Sequence, residues 1–123
     1  MTAPLHSPRD SNNSVPLDVE STIEAIQQNR RRHVLLLVDE QDEPVTAGQL
    51  AEAIAASELD KEIPELNAQE RKRVYIALTQ NHLDTLHETG AVDYDDRTKQ
   101  VCENDATAGM ANLVRHLKSV CEL

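Results

Sequence analysis

The sequence has very few aromatic residues. Tyr75 and Tyr94 are the only two among 123 residues, and Trp and Phe are absent. The core must therefore be built from aliphatic side chains, and a chain of this length has room for one domain and its tails. No run approaches the roughly 18 apolar residues that span a bilayer, and residues 1–16 lack the basic and apolar blocks of a signal peptide. We therefore expect a soluble, cytoplasmic protein with no membrane partner.

Cysteine and glycine are also scarce. Cys102 and Cys121 have no metal-binding or redox spacing, so reduced thiols are expected. The three glycines form no glycine-rich phosphate loop. His82 and His87 are five residues apart and do not share a helix face, as metal ligands at i and i+4 would. The sequence predicts no enzyme, metal site or cofactor, and identifies no small-molecule ligand.

Basic residues are outnumbered by acidic ones. The chain has 22 acids and 12 bases, a formal net charge of −10, whereas most DNA-binding domains are basic. A salt-adapted cytoplasm is the setting in which acidic proteins are common, because net charge keeps them soluble there. Residues 18–66 contain twelve acids and four bases, a local −8, while residues 67–90 contain three of each. The excess of acidic residues is therefore absent from residues 67–90.

The first part of the chain predicts two helices. Asp18 can cap a helix whose apolar face would contain Val19, Ile23 and Ile26. A break is expected near Asn29, followed by a buried helix over residues 30–39. The apolar run at residues 34–38 also fits a strand, but the preceding arginines favour helix.

The middle of the chain predicts a third helix. Residues 41–44 form a loop, after which Thr46 and Gln49 make a capping box. The helix that follows would cover residues 47 to about 57 and bury Leu50 and Ile54 with small alanines beside them. Residues 58–66 form a long acidic connection.

A long helix and a hairpin follow. Asn67 with Glu70 forms a second capping pair, and the helix is expected to cover residues 67–89. Gly90 supplies a left-handed stop. Residues 91–94 and 99–102 are predicted strands that are joined by a polar turn, so that residues 91–102 form a wing.

The last segment predicts an amphipathic helix. Asp105 can cap a helix over about residues 106–121. An apolar stripe follows at helical spacing, formed by Met110, Leu113, Val114, Leu117, Val120 and Cys121. This helix can pack on its own domain or on a partner subunit, and we favour a homodimer.

The fold class is therefore mainly α with a small β-hairpin wing, a winged helix-turn-helix plus a C-terminal amphipathic helix. We divide the chain into a disordered tail (residues 1–17), the winged helix-turn-helix domain (18–104) and the C-terminal helix (105–123), a possible dimerisation element.

Five segments in this order resemble a known family: RRRHVL (30–35), TAGQLAEAIA (46–55), RKRVYIAL (71–78), HLDTL (82–86) and GAVDY (90–94). The chain resembles a winged helix-turn-helix domain family of halophilic archaea whose function is unassigned. It is more distantly similar to arsenic-repressor-type transcriptional regulators. The resemblance covers about residues 25–102, and it implies transcriptional regulation by analogy of fold. The chain departs from the expected family pattern at Asp84 and Thr85, where proline and a basic residue are expected.

The candidate DNA-contacting residues lie on the long helix and the wing, since the first turns of such a helix meet base edges and phosphates. They are Gln69, Arg71, Lys72, Arg73, Gln80, Arg97 and Lys99. A plainer interpretation pairs the helix bases with acids such as Glu65 or Glu70, and makes the wing an ordinary soluble hairpin. Arg30, Arg31 and Arg32 are expected to neutralise acids, including Asp39 and Glu52, rather than to clamp phosphate.

The leading functional hypothesis is a DNA-binding transcriptional regulator that reads double-stranded DNA with residues 67–89 and 91–102. The alternative is a winged-helix protein-protein interaction module that does not bind DNA.

Overall fold

The computed structural model describes residues 14–122. Thirteen residues of the predicted disordered tail thus lie outside the described residues. At the end of that tail, Val15 and Leu17 are partly buried and pack against the core. These two residues therefore belong to the folded domain.

The described chain is mainly helical with a small antiparallel sheet, which confirms the predicted fold class. Its elements are α1 (Val19–Ile26), α2 (Asn29–Asp39), β1 (Val45–Thr46), α3 (Ala47–Leu59), a 3₁₀ turn (Ile63–Glu65), α4 (Ala68–Ala77), a π-helical turn (Leu78–His82), α5 (Leu83–Glu88), β2 (Asp93–Asp95), β3 (Gln100–Cys102) and α6 (Thr107–Val120).

Helix α1 begins as predicted but turns a different face inward. The Asp18 carboxylate accepts a 2.7 Å hydrogen bond from the Ser21 amide. Val19 and Ile23, predicted to be buried, are 67% and 54% exposed, whereas Ala25 is fully buried. The short helix packs through Ala25 and through Ile26, which was predicted to lie on the apolar face and is partly buried against the core, while the Val19–Ile23 edge faces outward.

The sheet contains one strand that the sequence pattern did not predict. Strand β3 lies between β1 and β2, and Val101 pairs with both Val45 and Tyr94. The amide of Ala47 donates to the Lys99 carbonyl at 2.8 Å, which joins the start of α3 to the hairpin. A two-residue strand has no periodicity to detect, so β1 depends on this pairing.

The long helix forms as predicted but contains a π-helical turn. Asn67 and Glu70 form the expected reciprocal cap. The buried side chains Leu78 and Leu83 are five residues apart, and the wider turn between them keeps both on the core side. Gly90 ends the helix with a φ of +90°, as predicted.

The prediction that Asp105 caps α6 was wrong, because Ala106 stands at the cap position and no side chain caps the helix. Asn104 instead holds the turn that leads into the helix. Its side-chain oxygen accepts from the Ala106 backbone amide at 2.8 Å, and its own backbone amide donates to Thr107 Oγ1 at 2.9 Å. The Asn104 side-chain nitrogen also donates to the Gly90 carbonyl at 3.1 Å, which ties this turn to the preceding loop.

Helix α6 packs on α2 of its own domain. Met110, Ala111 and Val114 are fully buried, and Arg115 forms a 2.8 Å ion pair with Asp39. The outer part of the predicted stripe stays accessible, with Val120 64% exposed. Within residues 14–122, no helix is both long enough and apolar enough to cross a membrane.

Candidate nucleic-acid interface

The first turns of α4 present a polar, partly basic surface. Gln69, Lys72 and Arg73 are all exposed. Within residues 14–122 their side chains make no hydrogen bond or ion pair, so they are available to a ligand. The helix start beneath them is rigidly held, because Lys61 bonds the capping Glu70 at 2.8 Å. That hydrogen bond is the main reason why the pKa of Glu70 lies below its usual value, and the hydrogen bond from the Asn67 amide is the second.

Arg71 has a different role from its neighbours. Its Nε lies 3.5 Å from a carboxylate oxygen of Glu52 on α3, and its Nη2 donates to the Ile63 carbonyl at 3.2 Å. The acids named in the plainer interpretation, Glu65 and Glu70, are not its partners. Arg71 therefore connects α4 to α3 through an ion pair and to the 3₁₀ turn through a hydrogen bond, although its buried Nε makes no hydrogen bond within the described residues.

A groove of about 550 Å³ runs between α3 and α4 beside these residues. Its lining is largely apolar and includes the start of α3 together with one side of α4. The lining residues are Thr46, Gly48, Gln49, Ala51, Glu52, Ala68, Arg71, Lys72 and Tyr75. Gln49 and Tyr75 were not predicted to belong to the site. Gln49 was assigned to the capping box, which it forms, and Tyr75 was assigned to the core, where it is only partly buried.

The hairpin provides one free and one paired cation. Lys99 Nζ lies 2.8 Å from the Asp96 carboxylate. This contact raises the pKa of Lys99 and lowers that of Asp96. Arg97 is exposed, and its guanidinium group has no hydrogen bond or ion pair within the described part of the chain. Arg97 is therefore better placed than Lys99 to contact a phosphate.

Gln80 is exposed on the π-helical turn, and Asp84 is exposed on α5 four residues later. Residues four apart share one side of a helix. A carboxylate thus stands near the amide of Gln80 on the outer side of the long helix. This end is less favourable to an anion than the end that contains Lys72 and Arg73.

The arginines at the start of α2 hold the domain together. Arg30 forms a bidentate pair with Glu58 at 2.8 and 2.9 Å, and it holds the pKa of Glu58 below its usual value. Arg32 donates to the Ile26 carbonyl at 2.6 Å. The expectation of a structural use is met. The partners expected were Asp39 and Glu52, but these carboxylates pair with two other arginines.

The remaining arginine of this group, Arg31, is 7% exposed and bonds His82, which is also 7% exposed. Its Nε donates to His82 Nδ1 at 3.2 Å, and its Nη1 donates to the Glu24 carbonyl at 2.7 Å. His82 was predicted to be a core or interhelical histidine bonded through one nitrogen, and the structure confirms this. Across residues 14–122 no cluster of His, Cys, Asp and Glu could hold a metal ion.

Three features could face a polyanion together: the start of α4, the groove beside it and the hairpin tip. The Ala47 amide donates to the Lys99 carbonyl of the hairpin, and Thr46 and Tyr75 line the same groove, so the helix and the base of the hairpin border one surface. Lys72, Arg73 and Arg97 supply its positive charge, although Arg73 also helps to lower the pKa of Glu70 and Arg97 that of Asp95. Asp93, Asp95 and Asp96 lie at the same hairpin and limit that charge.

Comparison with known proteins gives one family. No curated protein and no solved structure gave a significant match to the chain. The family model of a domain of unknown function, DUF7344, matches residues 23–102. That match covers most of the chain, from α1 through β3, and includes the whole surface formed by α4, the groove and the hairpin. The protein therefore belongs to the DUF7344 family.

Proposed function

We propose that this protein is a cytoplasmic, DNA-binding transcriptional regulator of the winged helix-turn-helix type. It would be related to the winged-helix proteins of halophilic archaea and more distantly to arsenic-repressor-type regulators. The observation that carries the proposal is the pair of exposed, unpaired cations Lys72 and Arg73 on the outer face of α4. Such a position on the second helix of a helix-turn-helix is where base edges and phosphates are contacted.

The roles of the polar residues follow from their geometry. Lys72 and Arg73 make the main phosphate and base contacts, and Gln69 lies one turn earlier where an amide can read adenine. Arg97 contacts the backbone from the hairpin tip, with Lys99 as its paired neighbour. Arg71 positions α4 against α3 and adds at most a secondary phosphate contact.

The test is the double variant Lys72→Ala with Arg73→Ala, which leaves the contacts of Arg71 intact. Its binding to genomic DNA fragments is measured by fluorescence anisotropy across a range of KCl concentrations. If both residues contact phosphates, the slope of log affinity against log salt decreases by about 2 and the affinity at a fixed salt concentration falls. The matched control is Gln27→Glu with Gln41→Glu, which makes the net charge more negative by the same two units at exposed positions outside α4. Equal losses in both double variants would show that only net charge matters.

We also propose that two copies associate through α6. Val120 is 64% exposed, and Leu113 and Leu117 on the same stripe are only partly buried. Two-fold symmetry would then place two copies of α4 on DNA half-sites about one helical turn apart.

Solution molar mass measured by light scattering tests the dimer. The wild-type protein should show twice the chain mass, and Leu117→Lys should reduce it to the mass of one chain, because a charge at an apolar contact is left without a partner. Ile23→Lys, at an exposed apolar site on α1, is the control and should stay dimeric. A single-chain mass for the wild type at high concentration would remove the dimer from the proposal.

The second candidate is a protein-protein interaction module, and the acids beside the proposed DNA surface favour it. Asp84 follows Gln80 on the long helix, and three aspartates surround Arg97 on the hairpin. A basic partner protein would bind these carboxylates. In that case Asp84→Asn with Asp96→Asn would weaken partner binding, whereas the same change would strengthen DNA binding under the first proposal.

A further inference from the structure

A second cavity lies away from the proposed DNA surface. It measures about 280 Å³ and lies between α2, the end of α3 and the last turns of α6. Its lining residues are Asn29, Arg32, His33, Leu36, Leu37, Glu40, Ser57 and Lys118. Thr46 lines the groove beside α4 and Ser57 lines this cavity. They lie near opposite ends of α3, about 16 Å apart along the helix axis at the α-helical rise per residue. The cavity is therefore separate from the groove beside α4.

Basic side chains from two helices meet in this cavity. Arg32 and His33 come from α2, and Lys118 comes from α6. The pKa of His33 is lowered mainly by burial and, to a smaller extent, by the positive charge of Lys118. With its lowered pKa, His33 is mainly neutral at pH 7, so the positive charge of the cavity comes from Arg32 and Lys118. An anion between these two side chains would be attracted to both.

Several hydrogen-bond donors at the cavity are unused. Arg32 Nε is buried and has no hydrogen-bond partner within the described residues. The side chains of Asn29, Ser57 and Lys118 likewise make no hydrogen bond or ion pair with residues 14–122. The side chains of Asn29, Ser57 and Lys118 are exposed at the cavity, so an oxyanion can accept hydrogen bonds from them.

Two carboxylates lie near these cations, and neither cancels them. The charges of Glu58 and Glu40 both oppose the lowering of the His33 pKa, but both oxygens of Glu58 are bound by Arg30 at 2.8 and 2.9 Å. Glu40 lines the cavity. Arg32 and Lys118 together outweigh it, so the cavity favours a ligand of negative charge.

We propose that this cavity binds a small organic phosphate, a phosphomonoester with a compact apolar body. The phosphoryl oxygens would accept from Arg32, Lys118 and Ser57, which can supply several charge-assisted or hydroxyl bonds. Leu36 and Leu37 provide an apolar wall for the rest of the molecule. A volume of about 280 Å³ is near the lower limit for ligand pockets, roughly 300 Å³, which selects a small ligand.

The test uses phenyl phosphate and inorganic phosphate as probes on the full chain, at fixed chloride concentration. Binding is measured from the changes in amide nitrogen and proton chemical shifts as the probe is added. The shifts should saturate, and the largest should be those of residues 29–37 and 118. Phenyl phosphate should bind more tightly than inorganic phosphate. Lys118→Gln should weaken the binding of phenyl phosphate by at least about tenfold. The control Lys72→Gln removes a lysine from the other surface and should leave this affinity unchanged.

A second measurement follows the His33 ring. A bound phosphate stabilises the imidazolium form, so phenyl phosphate should raise the pKa of His33 in a histidine NMR titration. The charged groups that act on this ring or line the cavity are Arg32, Lys118, Glu40 and Glu58. Because they are present both without and with ligand, a change in the pKa on adding phenyl phosphate reports the bound phosphate. The proposal fails if phenyl phosphate binds without saturation, if Lys118→Gln and Lys72→Gln weaken it equally, or if the pKa of His33 does not move. It also fails if Lys118→Gln weakens binding of a short DNA duplex but not of phenyl phosphate, because the cavity then belongs to a nucleic-acid surface.

Discussion

At the scale of single residues, Arg31 and His82 connect three helical segments. Arg31 lies on α2 and bonds both the imidazole on the π-helical turn and a backbone carbonyl of α1. His82 must be neutral at Nδ1 to accept this bond. Burial, followed by the charges of Arg31 and Arg30, lowers the pKa of His82, while Glu58 opposes them. The protonated form is therefore disfavoured in the folded protein.

This pair predicts a loss of stability in mild acid. The pKa of His82 is lower in the folded than in the unfolded state, where it is about 6.5. The unfolded state therefore takes up the proton first, so stability is fully present above about pH 6.5 and falls as the pH drops towards the folded-state pKa. Urea unfolding at pH 7.5 and 5.5 should show this decrease, and His82→Gln, which keeps an acceptor but cannot be protonated, should make it smaller.

The control for this prediction is His116→Gln, at an exposed histidine whose side chain has no hydrogen bond within residues 14–122. Its pH profile should follow that of the wild type. Some pH dependence should remain in His82→Gln, because the pKa of His33 is also lowered. If His82→Gln keeps the whole wild-type decrease, the imidazole does not control stability in this range.

At the scale of elements, the residues that cap the N-termini of helices explain why much of the fold can be predicted from the sequence. Asp18, Thr46 and Asn67 were each predicted as caps, and each accepts a hydrogen bond from the amide three residues later. These bonds are local, so residue type and spacing suffice to predict them. The cap predicted at Asp105 is absent, and no side chain caps α6. Asn104 bonds the turn before the helix and the Gly90 carbonyl, a contact that no local pattern predicts.

The turn before α6 predicts different outcomes for two adjacent substitutions. Asn104→Ala should lower the free energy of unfolding by about 1–2 kcal/mol, because it removes the hydrogen bonds to the Ala106 amide and the Gly90 carbonyl. Asp105→Ala should change it by less than about 0.5 kcal/mol, since its exposed side chain makes no hydrogen bond within residues 14–122. Urea unfolding monitored by circular dichroism measures both. A larger loss for Asp105→Ala would contradict the role assigned to Asn104.

At the scale of the whole molecule, excess negative charge opposes the compact state. The net charge is −10, and the ion pairs at the surface of the described chain are partly solvent-exposed. Such exposed pairs each stabilise a protein by about 0–1 kcal/mol. Long-range repulsion is screened by salt over about 10 Å at 0.1 M. We therefore expect repulsion to dominate the response to salt.

The urea midpoint should accordingly increase as KCl is raised from 0.05 to 1 M. Asp42→Asn with Glu43→Gln removes two exposed acids from the loop before β1, whose side chains have no partner in the described range 14–122. This variant should be more stable than the wild type at 0.05 M and should respond less to salt. The opposite response, a midpoint that decreases with KCl, would mean that attractive ion pairs outweigh repulsion.

The sequence by itself determined the helices, the caps at Asp18, Thr46 and Asn67, the stop at Gly90 and the hairpin, because these depend on residues within a few positions of one another. It also identified the free cations of α4, since their exposure follows from the apolar face opposite them. Tertiary structure decided the rest. Strand β1 exists only through Val101, and the arginine partners lie 28, 51 and 76 residues away, at Glu58, His82 and Asp39. Arg71 came to connect α4 to α3, and Arg32, His33 and Lys118 met at one cavity, because α2, α3, α4 and α6 pack as they do. No local pattern specifies which side chains such packing brings together.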